Sequence, residues 1–499
     1  MASGLILALA LPRPGTWLAA WIGLVPLMLA LQRKKDLSQS DRGADRTFLR
    51  AGLCGLITGL VYYGIILDWI TLFGYLPWIS LIVYQALYLA AFAALYVRLQ
   101  PSRIGWMGYA AVPGAWVVLQ FIRTLGAYGF IWGSFAHTQA DNLLVAQIAS
   151  VTGPWGIDFL VCFVNVALAV SLLGPARKIV PLAVAGVLTL AVCVFGLVSL
   201  NAKPMAGQTK TVAIVQGALS NGFDTDSMYT RRALSTYTTL TLQAAGGHPD
   251  VILWPETTLP INLSTPFWDD VLGSLSTACR AELLVGGYDT DPTTGRGYNA
   301  LFCFNARVRK GTYRKVRLVP FGEFVPLRDR LPFLKHYGVR PDDVLAAKEH
   351  VLLDSRLGKL GVSICFESLF PQIARTETLS GARVLCVVTN DSWFKRTQAN
   401  REHLMMAKLR AIENRRFVLR AAETGISAVI DPFGRIRSQL GLFRQGIITD
   451  KVQPSSRLTV YSRWGDWFAY ASIAIMMLGV ILSARSPRAD SRGKPRRET

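Results

Sequence analysis

The chain has 499 residues, a formal net charge of +21 and a hydrophobic content of 51%. Its mean hydropathy of +0.33 is positive, which is unusual for soluble proteins and indicates a membrane protein. The basic residues cluster beside apolar segments, in 33–50 and from Arg485 onward, as they do in cytoplasmic loops. We therefore expect membrane lipids as partners, and no nucleic acid.

The first 32 residues contain two apolar runs separated by PRPG at 12–15. A cleaved signal peptide is the alternative, but no small-residue cleavage site precedes a polar start, so we predict a helical hairpin. Further segments have about the length and apolar character of a membrane span, which makes about eight in all. These segments are 51–71, 75–97, 105–122, 155–173, 180–200 and 466–484.

The charges of the short loops predict the orientation of the spans. With the basic loop 32–50 in the cytoplasm, alternation places the other basic segments there too, namely 98–104, 174–179 and 485–499. The same alternation places the loop 123–142 and the long region 203–465 outside the cytoplasm. The predicted organisation is a membrane domain of about seven spans at 1–202, an extracytoplasmic domain at 203–465, a C-terminal span at 466–484 and a basic cytoplasmic tail at 485–499.

Within 203–465, short apolar runs alternate with helical stretches, which predicts an α/β domain of layered sheets and helices. Runs this apolar are typical of strands that are covered on both faces. The predicted strands are 211–217, 250–256, 282–289, 299–305, 361–367, 383–391 and 426–434. The predicted helices are 226–245, 267–280, 368–380 and 397–416.

Polar residues end three of these predicted strands. They are Glu256 after VILWP, Cys365 and Glu367 after GVSI, and Asn390 and Asp391 after VLCVVT. Active sites favour strand ends, because the sheet fixes the backbone while the loops stay open to substrate. A carboxylate beside a proline is also a common turn former or helix cap, so Glu256 taken alone leaves both interpretations open.

A cysteine carries an acyl group when a base takes its proton and a cation stabilises the thiolate and the oxyanion. Glu256 can supply the base, and Lys315, in the polar stretch YRKVRLVPFGE, can supply the cation. Taken singly, Lys315 also fits a solvated surface lysine and Cys365 a packed core residue. The order and surroundings of the three residues favour the catalytic interpretation.

The cysteines and histidines indicate no metal site. Seven cysteines and five histidines are scattered, without the spacing of a zinc site or a dense disulfide framework. Cys279, Cys303 and Cys386 are interpreted as small buried apolar residues, with one disulfide among them as the alternative. We predict no metal and no cofactor.

Several motifs resemble the nitrilase superfamily and, within it, the apolipoprotein N-acyltransferase family. They are WPET at 254–257, KVRLVPFGEFVPL at 315–327, ICFE at 364–367 and TNDSWF at 389–394. GFIWGSF at 129–135 and AQIASVTGPWGIDFLVCFVN at 146–165 resemble the membrane part of that family, so the likeness covers nearly the whole chain. KxxLVPFGE with flanking spans is the specific signal, whereas a lone glutamate or ICFE would be weak.

The resemblance implies an αββα sandwich for the α/β domain and a role for each site residue. It implies that Glu256 is the general base, Lys315 the oxyanion stabiliser and Cys365 the nucleophile. The further residues that it implies are Glu323 supporting the lysine, Glu367 supporting the cysteine, and the substrate-binding Trp393 and Phe366.

The reaction implied by the resemblance is a ping-pong acyl transfer in the bacterial cytoplasmic (inner) membrane. An acyl chain leaves a phospholipid for Cys365 as a thioester, and the free amine of a diacylglyceryl-cysteine apolipoprotein then takes it as an amide. A thioester is reactive enough for amide formation, so no ATP is needed.

The sequence departs from the family pattern at three places. Phe366 stands where a tyrosine is common, and KRTQANREH at 395–403 replaces a Gly-rich, Pro-containing segment. Glu423 stands where a small polar amide is usual. None of these changes removes a member of the Glu256, Lys315, Cys365 triad, but the changed loop bears on acyl-chain or acceptor preference.

Two other functions fit the same motifs, namely a membrane-tethered amidase that uses water as acceptor and a non-catalytic lipid or lipoprotein binder. A tether needs only one span, and the intact triad argues against a binder. Trp132, Phe135 and Trp155 are candidates for lining a lipid access route, with aromatic anchoring at the membrane interface as the alternative. The segment 405–416 is interpreted either as a basic face for lipid phosphates or as a solvated helix face.

Overall fold

The computed structural model describes residues 1–11, 16–32, 41–172, 179–202, 208–219, 227–325, 330 and 343–485. The first part of the chain, to residue 202, is helical. This segment and the last described helix are together called the helical part. Its helices are α1 (Ala2–Leu9), α2 (Val25–Gln32), α3 (Asp41–Ile66), α4 (Tyr75–Leu99), α5 (Pro101–Ile104), α6 (Met107–Ile122), α7 (Phe135–Thr138), α8 (Leu143–Ala146), α9 (Ala149–Thr152), α10 (Trp155–Ser171) and α11 (Ile179–Leu200).

Four described helical stretches are long and apolar enough to cross a membrane: Arg46–Ile66, Tyr75–Ile104, Ile179–Leu200 and Trp467–Arg485. They coincide with four of the predicted spans. The other apolar helical segments are shorter: Thr16–Gln32, Met107–Ile122, Leu143–Thr152 and Trp155–Ser171. The count of about eight spans therefore stays a prediction.

The packing of the helices explains their different lengths and exposure. α11 exposes Val187, Leu190 and Val198 at 64–66%, as expected of a helix that faces lipid. α6 and α10 lie at the centre instead, where the ring of Phe121 meets that of Trp155 at 5.6 Å. A helix surrounded by other helices does not have to match the bilayer thickness by itself.

Small residues bring α3 and α4 together. A Cβ atom on Gly55 would lie 2.3 Å from the carbonyl oxygen of Leu89, and one on Gly59 would lie 2.6 Å from the Cα of Ala86. Both distances are too short for any side chain, so glycine spaced by four residues permits the close approach of the two backbones.

The α/β domain contains two six-stranded sheets. Its strands are β1 (Lys210–Gln216), β2 (Val251–Leu253), β3 (Glu282–Thr290), β4 (Gly297–Asn305), β5 (Val308–Arg314), β6 (Leu353–Ser355), β7 (Gly358–Ile364), β8 (Val384–Thr389), β9 (Val418–Ala422), β10 (Ser427–Ile430), β11 (Ile436–Leu440) and β12 (Gly446–Val452). Its helices are α12 (Ser227–Ala245), α13 (Pro266–Cys279), α14 (Pro371–Leu379), α15 (Ala399–Asn414) and α16 (Val460–Trp464), and α17 (Trp467–Arg485) follows.

One sheet has the order β12-β1-β2-β3-β4-β5 and the other the order β11-β10-β9-β8-β7-β6. The three central strands β1, β2 and β3 are parallel, as are β7, β8 and β9, and the outer pairs are antiparallel. The alternation of side chains along β1 shows the layers: Val212 and Ile214 pack between the two sheets, and Ala213 and Val215 pack under α12 and α13. The αββα sandwich is therefore confirmed.

Helix α15 lies between the second sheet and the helical part. Leu404, Ala407 and Ala411 pack on the sheet, whereas Met405 and Leu409 pack in the core of the helical part. Both interpretations of 405–416 were therefore wrong, because Lys408, Arg410 and Arg416 are buried and Arg415 is only partly exposed, so these residues do not form a face towards lipid phosphates or solvent.

The aromatic residues considered for a lipid access route also lie in the interior. Trp132, Phe135 and Trp155 are at most 2% exposed. The indole N–H of Trp132 donates to Glu402, and that of Trp155 donates to Asp466 at 2.7 Å. All three are too deeply buried to line a lipid-facing surface or a membrane interface, and the two indole N–H groups connect the helical part to α15 and to the residue before α17.

Candidate active site

Cys365 follows β7 directly and begins a 3-10 turn, Cys365–Leu369. Its φ of +53° is a conformation that few residues with a side chain adopt, and such strain is common where a nucleophile is presented at a sharp turn. Burial and the charge of Glu256 raise the pKa of the Cys365 thiol, against the effect of Lys315. The resting residue is a thiol, so it needs a base to become a nucleophile.

Glu256 lies three residues after the end of β2 and is 6% exposed. One carboxylate oxygen accepts the N–H of Asn390 at 2.7 Å, and the other accepts the amide of Asn299 at 2.7 Å and lies 3.5 Å from the Lys315 ammonium. A Cβ on Gly286 would lie 2.2 Å from the carbonyl oxygen of Pro255, so only glycine lets β3 pass beneath this turn. The carboxylate is therefore fixed in place.

Lys315 follows β5 and is 1% exposed. Its ammonium donates to Glu323 at 2.9 Å. Burial disfavours the charge, but Glu323 and Glu256 raise the pKa of Lys315 above its ordinary value. Burial also acts on Glu323, yet Lys315 and the N–H of Val319 hold the pKa of Glu323 below its ordinary value. The site thus contains a permanent buried cation.

Glu367 connects the cysteine turn to the lysine loop. One oxygen of its carboxyl accepts the N–H groups of Val316 at 2.8 Å and Arg317 at 3.0 Å. The other accepts the N–H of Ile364 at 2.7 Å and the hydroxyl of Tyr313 at 3.0 Å. Burial raises the pKa of Glu367 to about 7 despite these donors. One buried side chain therefore sets the distance between the two loops.

Asn299 is a further site residue that the sequence did not single out. Its amide donates to Glu256 at 2.7 Å and to Glu323 at 3.1 Å, so one amide group holds both carboxylates. The available signal was a polar residue inside the apolar strand β4, where packing alone favours an apolar side chain.

A buried chain of polar side chains behind Cys365 was also not predicted from the sequence. The Nε2 atom of His403 lies 3.2 Å from the carbonyl oxygen of Cys365, and its Nδ1 atom lies 3.1 Å from Asp391. Arg420 donates to the other oxygen of Asp391 at 2.6 Å. Arg420 and His403 hold the pKa of Asp391 at about 2 against the effect of burial. The sequence names Asp391, but only the fold shows that it meets a histidine and an arginine.

Phe366 and Trp393, the predicted substrate-binding residues, both contact aromatic residues of the helical part. The ring of Phe366 stacks on Phe130 at 6.1 Å, and that of Trp393 stacks on Phe73 at 5.9 Å. Cys365 is therefore followed by an apolar wall that both parts of the molecule build. Their contact with substrate stays a prediction.

The described residues contain no cluster of His, Cys, Asp and Glu that could hold a metal ion. All seven cysteines are free, and Cys279, Cys303 and Cys386 are buried. The disulfide considered for these three residues is not formed, and their interpretation as buried apolar residues is confirmed.

A thiol, a fixed carboxylate and a buried ammonium at the strand ends of an αββα sandwich define an enzyme of the nitrilase superfamily. A family model described as carbon-nitrogen hydrolase matches residues 211–459, and a model described as apolipoprotein N-acyltransferase N-terminal domain matches residues 3–167. The N-terminal domain model covers most of the helical part before residue 168, and the carbon-nitrogen hydrolase model covers nearly all of the α/β domain.

Curated relatives cover nearly the whole chain. The apolipoprotein N-acyltransferase of Geobacter metallireducens is 33% identical over 95% of this chain and 92% of its own length. That of Gloeobacter violaceus is 29% identical over 98% and 94%, and that of Methylococcus capsulatus is 31% identical over 94% and 93%. The chain belongs to the apolipoprotein N-acyltransferase family.

Proposed function

We propose that this chain transfers a fatty acyl group from a phospholipid to the N-terminal amine of a diacylated apolipoprotein, through a thioester on Cys365. The observation that carries the proposal is the fixed Lys315 ammonium, 2.9 Å from Glu323 and 3.5 Å from Glu256, at the strand ends that also present Cys365. Membership of the family supports the choice of substrates.

In the first half-reaction, Glu256 removes the proton of the Cys365 thiol, and the thiolate attacks the ester carbonyl of the phospholipid. Lys315 stabilises the oxyanion that forms, because its charge is fixed there before the reaction begins. The intermediate collapses to the thioester, and Glu256 returns the proton to the departing alkoxide of the lysophospholipid.

In the second half-reaction, the amine of the apolipoprotein attacks the thioester carbonyl, and Lys315 stabilises the second oxyanion. Glu256 takes a proton from the amine and returns it to the departing thiolate of Cys365, so that the amide is released and the thiol is restored. The same three groups serve both halves.

Both substrates are anchored in lipid, so the reaction gains from a site that lies against a membrane-embedded bundle. Phe366 and Trp393 contact aromatic residues of the helical part, which suits an acyl chain that reaches Cys365 from the bilayer. We therefore assign Phe366 and Trp393 to the acyl-binding wall.

The location belongs to the same proposal. We place the helical part, including α17, in the bacterial cytoplasmic membrane and the α/β domain on its outer side, because the basic loops 32–50, 98–104 and 174–179 then face the cytoplasm. The α/β domain then meets the amine of the diacylated apolipoprotein on the side of the membrane to which lipoproteins are exported.

The test is the transfer of a labelled acyl chain to a synthetic diacylated lipopeptide by the full-length protein. We expect the lipopeptide to gain one acyl mass, with one lysophospholipid formed for each amide, and a lipopeptide with an acetylated amine to gain none. Free fatty acid without amide would instead assign the chain to hydrolases, and a folded protein that yields neither product would contradict enzymatic function altogether.

A further inference from the structure

Arg317 joins the lysine loop of the α/β domain to the helical part. Its guanidinium donates to three carbonyl oxygens in the loop after α6: that of Thr124 at 3.2 Å, that of Gly126 at 2.7 Å and that of Gly129 at 3.5 Å. The guanidinium carbon also lies 3.4 Å from the centre of the Phe370 ring. These contacts fix a single side chain from two directions.

The position of Arg317 in the chain connects this contact to the chemistry. Arg317 lies two residues after Lys315, and its own N–H donates to Glu367 at 3.0 Å. The same carboxyl holds the N–H of Ile364, the residue before Cys365, at 2.7 Å. A shift of Arg317 therefore changes the placement of the lysine and, through Glu367, that of the cysteine turn.

The loop that receives Arg317, residues 123–132, also contacts the cysteine side of the site. Phe130 stacks on Phe366, the residue after the nucleophile. The Trp132 indole N–H donates to Glu402, the residue before the histidine that contacts the nucleophile's carbonyl. The 123–132 loop thus meets both halves of the catalytic centre.

Arg123 fixes the 123–132 loop to the helices. It is fully buried and donates to Gln85 of α4 at 2.7 Å, to Gln120 of α6 at 2.5 Å and to the carbonyl oxygen of Trp132. A buried arginine with its donors engaged on both helices holds the loop in one conformation. The loop is therefore a stable reference for the site.

We propose that Arg317 is a positioning residue for acylation of Cys365, and that the helical part thereby contributes to the chemical step as well as to lipid access. The inference rests on the proposed function, because it concerns the same thioester. Displacing the lysine loop by about 1 Å would slow acylation on the order of a hundredfold, because oxyanion stabilisation depends on the donor position.

The test uses a water-soluble nitrophenyl ester of a short acyl chain, which does not need a path through the bilayer. The first-turnover burst of nitrophenolate at saturating ester reports the rate of Cys365 acylation in the full-length protein. We expect Arg317→Gln to lower this rate on the order of a hundredfold with little change in half-saturating ester concentration, and Arg317→Lys to recover part of it.

A second variant reaches the same contact from the helical part. A Cβ on Gly129 would lie 2.4 Å from the Arg317 guanidinium and 2.9 Å from the carbonyl oxygen of Leu125, so Gly129→Val displaces the guanidinium and the loop that receives it, and should slow acylation as Arg317→Gln does. Gly186→Val is its matched control, because nothing lies within 4 Å of the added Cβ. Arg435→Gln is the control for the arginine, since Arg435 donates to the carbonyl oxygen of Leu200 at 2.7 Å, away from the site. Both controls should acylate at the wild-type rate.

The outcomes separate the inference from the function on which it rests. A wild-type rate with the soluble ester in folded Arg317→Gln or Gly129→Val would overturn the inference, even if transfer from phospholipid were lost. A wild-type protein that forms no thioester from either donor would contradict the proposed function itself.

Discussion

Two members of the proposed catalytic triad, Glu256 and Lys315, are charged groups that packing alone does not favour. Glu256 and Lys315 are buried, Glu323 has 12% of its side chain exposed, and the two carboxylates share the Lys315 ammonium. Burying charged groups costs free energy, and their mutual attraction offsets this cost only when the geometry is good. Apolar residues of similar size often stabilise a fold more than such an ion pair does. The retention of these charged groups at the end of two strands is therefore best explained by chemistry.

Glu423 is a buried acid whose ionisation works against the fold. Its carboxyl accepts the N–H of Leu219 at 2.9 Å and the hydroxyl of Tyr237. Burial raises the pKa of Glu423 from 4.5 to about 7, against both hydrogen bonds. Below pH 4.5 the group is protonated whether the chain is folded or not. Between about pH 4.5 and 7 only the unfolded chain ionises, so stability falls as the pH rises.

Glu423→Gln should therefore stabilise the protein above pH 7, by up to about 3 kcal/mol, and change little near pH 5. The amide can accept from Leu219 and donate to Tyr237. Thermal unfolding at pH 5 and pH 8 measures the difference. The control Glu282→Gln removes a carboxylate that pairs with Lys310 at 3.1 Å, so we expect destabilisation at both pH values. If Glu423→Gln lost stability at both pH values, as this control should, the result would contradict this account.

At the scale of elements, the sequence predicted the parts whose apolar pattern is strong. The predicted strands at 211–217 and 282–289 correspond to β1 and β3, and the predicted helix at 226–245 corresponds to α12. In each of these elements the apolar side chains follow a single period, because each face of the strand or helix lies in one environment.

The elements that were missed have mixed patterns for physical reasons. β5 reads VRKGTYR and β11 reads IRSQL, because both are edge strands that expose polar side chains. β9 begins two residues after Arg416 and contains Arg420, two fully buried arginines that look like solvent-exposed residues in the sequence. The order of the triad could be predicted from motifs. A polar residue in an apolar strand was a signal for Asn299, but its role could not be predicted, because its partners Glu256 and Glu323 come from the loops after β2 and β5.

The buried basic face of α15 is held by Asp141 from the helical part. Lys408 and Arg401 each donate to one of its oxygens at 2.5 Å, and Lys408 is 5% exposed. Asp141→Asn leaves the Lys408 charge without its partner, which should cost about 1–3 kcal/mol.

Thermal unfolding of Asp141→Asn measures this loss, and adding Lys408→Met in the same chain should recover part of it, because no uncompensated charge then remains. Arg437→Gln is the control, since its pair with Asp450 spans 3.9 Å and the arginine side chain is 52% exposed. A further loss of stability in the double variant would contradict the assignment of Asp141 as a counter-charge.

At the scale of the whole molecule, the proposed catalytic centre lies where the two parts meet. Phe130 and Trp132 from the helical part contact Phe366 and Glu402 of the α/β domain. An amidase that acts on small solutes has no need for such a contact. The arrangement suits a reaction in which donor and acceptor both arrive from the bilayer.

The orientation of the molecule can be tested by adding one cysteine at a time to a background in which Cys54, Cys193 and Cys365 are replaced by alanine, because the other four native cysteines are buried. Thr293→Cys lies in the exposed turn between β3 and β4, and Ser102→Cys lies in the exposed segment after α4. In intact spheroplasts, a membrane-impermeant maleimide should label the first and reach the second only after lysis, because the α/β domain is proposed to face outward. The reverse pattern would contradict the proposed orientation.

The most direct measurement of the central claim is the mass of the purified full-length protein after incubation with phospholipid alone. We expect one fatty-acyl mass on Cys365, slower formation in Glu256→Gln, none in Cys365→Ala and the wild-type amount in Cys279→Ala, whose cysteine is buried elsewhere. The adduct should disappear when a diacylated lipopeptide is added. A folded wild-type protein without the adduct, or an adduct that persists in Cys365→Ala, would contradict the account.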